Sequence, residues 1–275
     1  MLKKLLKYDL KSVFKYWWIA AVTTFCLSFA AGGCITVLRS EKELPTVVNI
    51  LSGFTVFLVI AAFCVFSVLS AVFVFFRFYK NFFTDEGYLT FTLPVKRSSL
   101  LNSKLYMGGI VEFATVFTLG INFLTMILIG YGDKIFTEKF IRKIIELVKD
   151  IVDQFGVYTA LYILEMLLIF VLIIVFSVLL LYVCITLASM ISKKAKVITA
   201  IGIYYGVNMI VSFVFQIFTL FGYSGIAERF AKLDINVLKP TLALTILGIM
   251  VAISVFCAML YTLQYWMLDR KLNLS

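Results

Sequence analysis

The sequence predicts an all-α integral membrane protein with six transmembrane helices. Three observations carry this. Of 275 residues, 63% are hydrophobic and only 15% are charged, whereas soluble domains are about half apolar and a quarter charged. Six apolar runs reach about 20 residues or more, the length that crosses a ~30 Å hydrocarbon core as a helix. No run alternates with the period of a membrane β-strand, and helices satisfy their own backbone in lipid.

The runs are Trp18–Leu38, Leu51–Phe76, Tyr106–Tyr131, Val157–Ile191, Val197–Phe221 and Pro240–Met267. The fourth exceeds an untilted crossing, so it must tilt or project from one face. No internal repeat or separate soluble domain is visible; residues 1–275 read as one transmembrane domain. Residues 1–17 precede the first run. Leu2, Leu5, Leu6, Leu10, Val13, Phe14 and Trp17 follow helical spacing, while Lys3, Lys7, Lys11 and Lys15 form a stripe on another face. That pattern predicts a helix lying in the membrane interface, with Trp17 at headgroup level. Phe29-Ala30-Ala31 suggests a signal-peptide cleavage site. The basic segment and the apolar run are both too long for one, so the run is read as a retained first span.

Residues 132–156 predict an amphipathic helix between spans three and four, on the outer side. Phe136, Phe140, Ile144, Leu147, Val148, Ile151 and Phe155 form one apolar stripe, widened by Ile141, Ile145 and Val152. Glu138–Arg142 and Lys149–Asp153 are spaced to pair one turn apart. Asp133 is the expected N-cap, after a break at Gly132. The helix either rests on the outer leaflet or caps an external exit path. Between spans five and six, GYSGIAERFAKLDINVLKP is too polar to span.

Charge sets the orientation. With the N-terminus inside, the inner side carries 15 of the 25 basic residues and four acids, whereas the outer side is nearly balanced. Excess lysine and arginine mark the cytoplasmic face. Both termini are therefore expected in the cytoplasm. The net charge of +10 reports orientation and contact with anionic lipid, not nucleic acid.

Several chemistries lose their residues. The chain has no histidine, which removes His-based zinc sites, Ser-His-Asp triads and histidine proton relays. Cys26, Cys34, Cys64, Cys184 and Cys257 all fall in spans, match no metal spacing and read as small packing residues. No Walker A or dinucleotide-binding glycine pattern occurs. No catalytic residue, metal ligand or bound cofactor is expected of this chain. Glu112 and Glu165 lie inside spans, where an ionisable group is costly and usually faces a bundle interior. They are candidates for a substrate path, or else locally bonded carboxyls near helix ends. Asn208, Gln216 and Gln264 read as interhelical contacts, and Gly108, Gly109 and Gly120 as points of close helix approach.

The segment with the most information is residues 77–104, between spans two and three. It packs Phe78, Tyr79, Phe82, Phe83, Tyr88 and Phe91 among Lys80, Asp85, Glu86, Lys96 and Arg97. Aromatics flanked by charge, outside hydrocarbon, have the composition of a protein-docking surface. Gly87 ends a short helix, Pro94 fixes a corner, and Ser98 or Ser99 can cap the helix that enters span three.

This segment resembles the cytoplasmic loop of ABC-2 type transporter permeases, in particular the small six-span bacterial ones (type V exporter-like). The acidic turn Thr84-Asp85-Glu86-Gly87-Tyr88-Leu89, the corner Leu93-Pro94 and the basic run from Val95-Lys96-Arg97 to Lys104 carry the likeness. The N-terminal MLKKLLKYDLKSVF looks like that family's elbow helix, with Lys3, Lys7, Lys11, Lys15 and Trp17 at the interface. The resemblance implies that residues 77–104 hold the coupling helix. Phe82, Phe83, Asp85, Glu86, Tyr88, Phe91 and Pro94 would seat in a separate ATPase. It implies two such ATPases, which would hold ATP and Mg, and a second permease copy or paralogue. It also implies a bacterial plasma (inner) membrane location and export of an apolar or amphipathic substrate such as a peptide, lipid or drug. The chain itself would be no enzyme. Alternatives are a membrane-embedded sensor or interaction subunit that docks another cytoplasmic protein, and a secondary carrier.

Overall fold

The computed structural model describes residues 2–40, 45–84, 87, 96–191, 196–231 and 235–270. Among them the chain is helical, with no strand. The helices are α1 (Leu2–Leu38), α2 (Thr46–Phe83), α3 (Arg97–Ile135), α4 (Glu138–Phe155), α5 (Val157–Ile191), α6 (Lys196–Ala231) and α7 (Ile235–Arg270). Five of them, α1, α2, α3, α5 and α7, are long and apolar enough to cross a membrane. The described apolar stretch of α6 is Val197–Phe213. The protein is thus an all-α, multi-span membrane protein, as composition predicts.

Helix bounds depart from the apolar runs in an instructive way. α2 has 38 residues and α3 has 39, so each is about 57–59 Å long at ~1.5 Å per residue. A ~30 Å core takes up only about half of that. Charge ends an apolar run but not a helix: Arg77 and Lys80 are good helix formers, and no glycine or proline stands between Phe76 and Gly87. The same reasoning corrects the separate interfacial helix. Residues 2–17 run unbroken into the first span as one 37-residue helix, because no helix breaker precedes Gly32.

The chain divides into two compact units. Met1–Phe78 with Asn102–Lys149 form one, and Tyr79–Leu101 with Asp150–Ser275 form the other. In the first unit, α1 buries Asp9, Val13, Trp17, Ala21, Thr24, Ser28 and Ala31. Steps of three and four residues put all of these on one face. Ala31, Val59 and Met126 build a core cluster from α1, α2 and α3, with Ile35 and Phe63 packed on it. Gly32 and Gly130 let α1 and α3 close on each other. A Cβ on Gly32 would stand 2.6 Å from Ile129 Cβ, and one on Gly130 would stand 2.7 Å from Ile35 Cγ2. Small residues at such crossings allow close backbone approach. Gly109 and Gly120, expected in this role, face open space.

Polar bonds run along the same seam. The Trp17 indole N–H donates to Thr115 Oγ1 at 2.9 Å. Thr115 Oγ1 also meets Ser70 Oγ at 2.6 Å and donates to the Val111 carbonyl at 2.8 Å. Asn122 Nδ2 donates to Thr24 Oγ1 at 3.1 Å. Beyond the end of α1, Arg39 donates to both carboxylate oxygens of Asp133 at 3.0 Å and also to the Gly130 carbonyl. Asp133 is therefore inside α3 rather than an N-cap for α4. Helix α3 continues through Gly132, and Thr137 begins α4, its carbonyl accepting from Phe140 N–H at 2.9 Å.

In the second unit α5 packs against both α6 and α7. Residues 178–186 of α5 are all buried, and a helix buried all round occupies the middle of its unit. Gln264 Nε2 donates to Thr186 Oγ1 at 2.8 Å. Near the other end of α5, Tyr162 OH donates to the Lys239 carbonyl at 2.7 Å, beside Pro240 of α7. The five cysteines are free thiols.

Candidate functional site

The candidate docking segment joins α2 to α3. Asp85, Glu86, Tyr88, Phe91 and Pro94 lie outside the described residues, so its anchorage is what the structure supplies. On the upstream side, α2 runs to Phe83, with the Tyr79 and Phe83 rings stacked at 5.9 Å. Phe82 is only 1% exposed. Its ring packs inside the chain and is not a docking surface, contrary to the expectation; Phe83, half-buried, retains an accessible edge. Gly87 then closes a turn: its N–H donates to the Thr84 carbonyl at 2.7 Å. A Cβ there would stand 2.7 Å from the Phe82 carbonyl oxygen.

On the downstream side, Lys96 rather than a serine caps α3. Its carbonyl accepts from Ser99 N–H at 2.9 Å and Leu100 N–H at 3.3 Å, which places Ser98 and Ser99 within the first turn. Arg97 fastens this turn to the end of α7. Its Nη1 donates to the Asp269 carboxylate at 2.6 Å and to the Asp269 carbonyl at 2.7 Å. A cation here meets both a carboxylate and the unpaired carbonyls of a helix C-terminus. Both side chains are about half exposed, so the contact fixes geometry more than it adds stability.

A buried ion cluster occupies the first unit and joins α1 to the two helices that flank the segment in sequence. Asp9 of α1 is 3% exposed and Lys104 of α3 is 4% exposed. Lys104 Nζ donates to Asp9 Oδ2. Arg77 of α2 donates through Nε to Asp9 Oδ1 at 2.9 Å, with Nη2 2.8 Å from the same oxygen. One carboxylate therefore joins three helices. Inside a low-dielectric unit its attraction to two cations must offset the desolvation of all three groups. The sequence contained a signal for this cluster. Asp9 is four residues from both Leu5 and Val13, on the apolar face of its helix rather than on the lysine stripe. An acid on the packing face asks for a buried partner.

The expected elbow residues divide by the same geometry. Lys3, Lys7, Lys11 and Lys15 are exposed, whereas Trp17 is buried with its N–H satisfied. Trp18 is the exposed indole. Glu112 and Glu165 belong to different units and are not brought into one site by either. Glu112 is half-buried. Glu165 is 6% exposed and its Oε2 has no hydrogen-bond partner; the Thr159 hydroxyl, one and a half turns away on α5, is also unpartnered. A buried polar atom left unmet calls for a hydrogen-bonding partner.

This fold defines a class: a multi-span, all-α integral membrane protein compatible with a transport or permease role. No known protein family, curated protein or solved structure matches the chain.

Proposed function

We propose that the chain is the permease subunit of an ATP-driven ABC-2 type exporter. Residues 77–104 would dock on a separate ATPase, two permease copies or paralogues would pair, and the cargo would be apolar or amphipathic. The observation that carries this reading is the mounting of the segment between α2 and α3. Two helices nearly twice the length of a membrane crossing lead into and out of it. Ion pairs hold the flanking chain: Arg77 and Lys104 on Asp9, and Arg97 on Asp269. Such a segment can pass a push from a soluble motor to the spans without slack, which rigid-body switching needs. On this reading all six apolar runs cross, both ends lie in the cytoplasm of a bacterium, and ATP and Mg stay on the partner.

Capture of partners in mild detergent tests the reading. The tagged chain is expected to bring down an ABC-type ATPase in equal amount. Tyr88→Ala with Phe91→Ala is expected to lose that ATPase at least tenfold while the permease still inserts and folds. Equal capture by the double variant removes the docking assignment. Recovery of the wild-type chain without any ATPase favours the sensor or carrier reading. Glu165, with its unmet oxygen, is the carboxylate we assign to the path. Glu165→Gln is expected to slow ATP-driven movement of a cationic amphiphilic dye in proteoliposomes severalfold with ATPase capture intact. Unchanged movement would return Glu165 to a packing role.

A further inference from the structure

Helix α4 is the most cleanly divided element of the protein. Phe140, Ile144, Val148, Ile151 and Phe155 form its apolar spine, at helical steps of four, four, three and four residues. Ile141, Ile145, Leu147 and Val152 widen that spine to about half the circumference. Lys139, Arg142, Glu146, Lys149, Asp150 and Asp153 fill the other half. Of the two expected pairs one turn apart, Arg142 to Glu138 forms at 2.6 Å. No residue of α4 is buried by the rest of the chain. A helix with this much uncovered apolar surface needs a further apolar phase.

We propose that the phospholipid surface is that phase, with α4 lying in the interface, its Phe140–Ile144–Val148–Ile151 face down in the acyl chains. Two observations choose lipid over a soluble partner. First, both ends are tied to spans with almost no slack. α3 ends at Ile135, two residues before α4, and Gly156 alone separates α4 from α5. Gly156 has φ +54, and its N–H donates to the Val152 carbonyl at 2.7 Å. That is a left-handed helix stop, which favours glycine because it has no Cβ. Helix α4 is therefore joined directly at both ends to helices long and apolar enough to cross a membrane. Second, the roll of the helix is fixed at this corner. Phe155 belongs to the apolar spine, and its ring meets Tyr162 of α5 edge-on at 5.9 Å. Tyr162 is in the second turn of that span. The spine is thus turned toward the span, and so toward the bilayer, while the charged half faces water. The high charge and low net apolarity of the whole helix suit a surface position rather than a crossing.

The proposal does not depend on the transporter reading. Its test uses the full chain in phosphatidylcholine vesicles containing a phospholipid with a photoactivatable diazirine in its acyl chain. After illumination, adducts are mapped by mass spectrometry. Adducts are expected on Phe140, Ile141, Ile144, Val148 and Ile151, at yields within about threefold of the exposed span residues Phe117 and Leu124. Glu146, Lys149 and Asp153 are expected to carry at least tenfold fewer. Labelling of Phe117 and Leu124 with none on α4 would overturn the proposal, as would covalent joining of α4 to a second protein copy in place of lipid. A double variant, Ile144→Glu with Ile151→Glu, changes no buried contact. It is expected to lose the α4 adducts and to become cleavable by trypsin after Lys143 and Lys149 on intact vesicles, with span adducts unchanged. Retained α4 adducts in that variant would equally overturn the assignment.

Discussion

Asp9→Ala is expected to be the most damaging single change in the first unit, costing about 3–5 kcal/mol, the usual penalty for breaking a buried ion pair by removing one partner. The cause is what the change leaves behind. Lys104 is 4% exposed, and Asp9→Ala removes the carboxylate that its ammonium and the Arg77 guanidinium share. The three possible deletions should therefore be unequal. Lys104→Met leaves Asp9 still bonded to Arg77, whose side chain is 21% exposed. Arg77→Met leaves Asp9 bonded to Lys104. Each of these retains a neutral pair and should cost roughly half as much as Asp9→Ala. Asp9→Asn keeps the shape but loses the charge, so it should fall close to Asp9→Ala. Thermal unfolding of the purified variants in one detergent gives the order. If Lys104→Met is as harmful as Asp9→Ala, the cluster acts through packing of the lysine stem rather than through charge. The Asp9→Leu, Lys104→Met double variant should lie above Asp9→Ala, because it removes the more deeply buried of the two cations together with the anion.

What was legible in the sequence follows from the range over which sequence patterns act. Apolar windows located the spans because hydrocarbon imposes one length on every crossing. The amphipathic α4 was visible because its stripe repeats every turn within eighteen residues. The helix ends were less legible. Arg77, Lys80 and Lys104 end an apolar window without ending a helix, so α2 and α3 overshoot the runs that announced them. Capping was misread for a related reason. Asp133 is a good cap by residue type, but Arg39, 94 residues away, holds its carboxylate. Arg97 and Asp269 are 172 residues apart, and no local pattern announces such a bond. Two of the three glycines expected to allow close approach fail in the same way. Gly109 and Gly120 share a helix and face open space, whereas Gly32 and Gly130 act across α1 and α3 and have no shared spacing. Aromatic density in residues 77–104 suggested exposure throughout. Two of those rings are instead buried, with the period of the helix that carries them: Phe78 and Phe82 are one turn apart.

Gly87→Ala should separate assembly from folding. The turn it closes is built from backbone: Gly87 N–H to the Thr84 carbonyl at 2.7 Å, directly after the last turn of α2. An added Cβ would meet the Phe82 carbonyl oxygen at 2.7 Å and its carbon at 2.9 Å. Those atoms belong to a helix end and cannot swing aside as a side-chain tip can, so the turn itself must reopen. Forced overlap of this kind costs about 1–3 kcal/mol. The cost falls on the turn that follows α2, since α2 itself is complete before Gly87. Insertion and the unfolding temperature of the spans should therefore change little. The path of residues 84–96 should shift, and with it every docking residue downstream, Tyr88 and Phe91 included. On the transporter reading, ATPase capture by Gly87→Ala should fall about as far as in the Tyr88→Ala, Phe91→Ala variant, although no docking side chain has been altered. Gly87→Ser should behave like Gly87→Ala, because the obstruction is the Cβ rather than polarity. If capture stays normal in both while the Tyr88 and Phe91 variant loses it, the docking residues tolerate a displaced turn and the segment is a flexible tether, not a rigid coupling element. Normal capture in all three would leave the ATPase, if present, seated elsewhere on the chain.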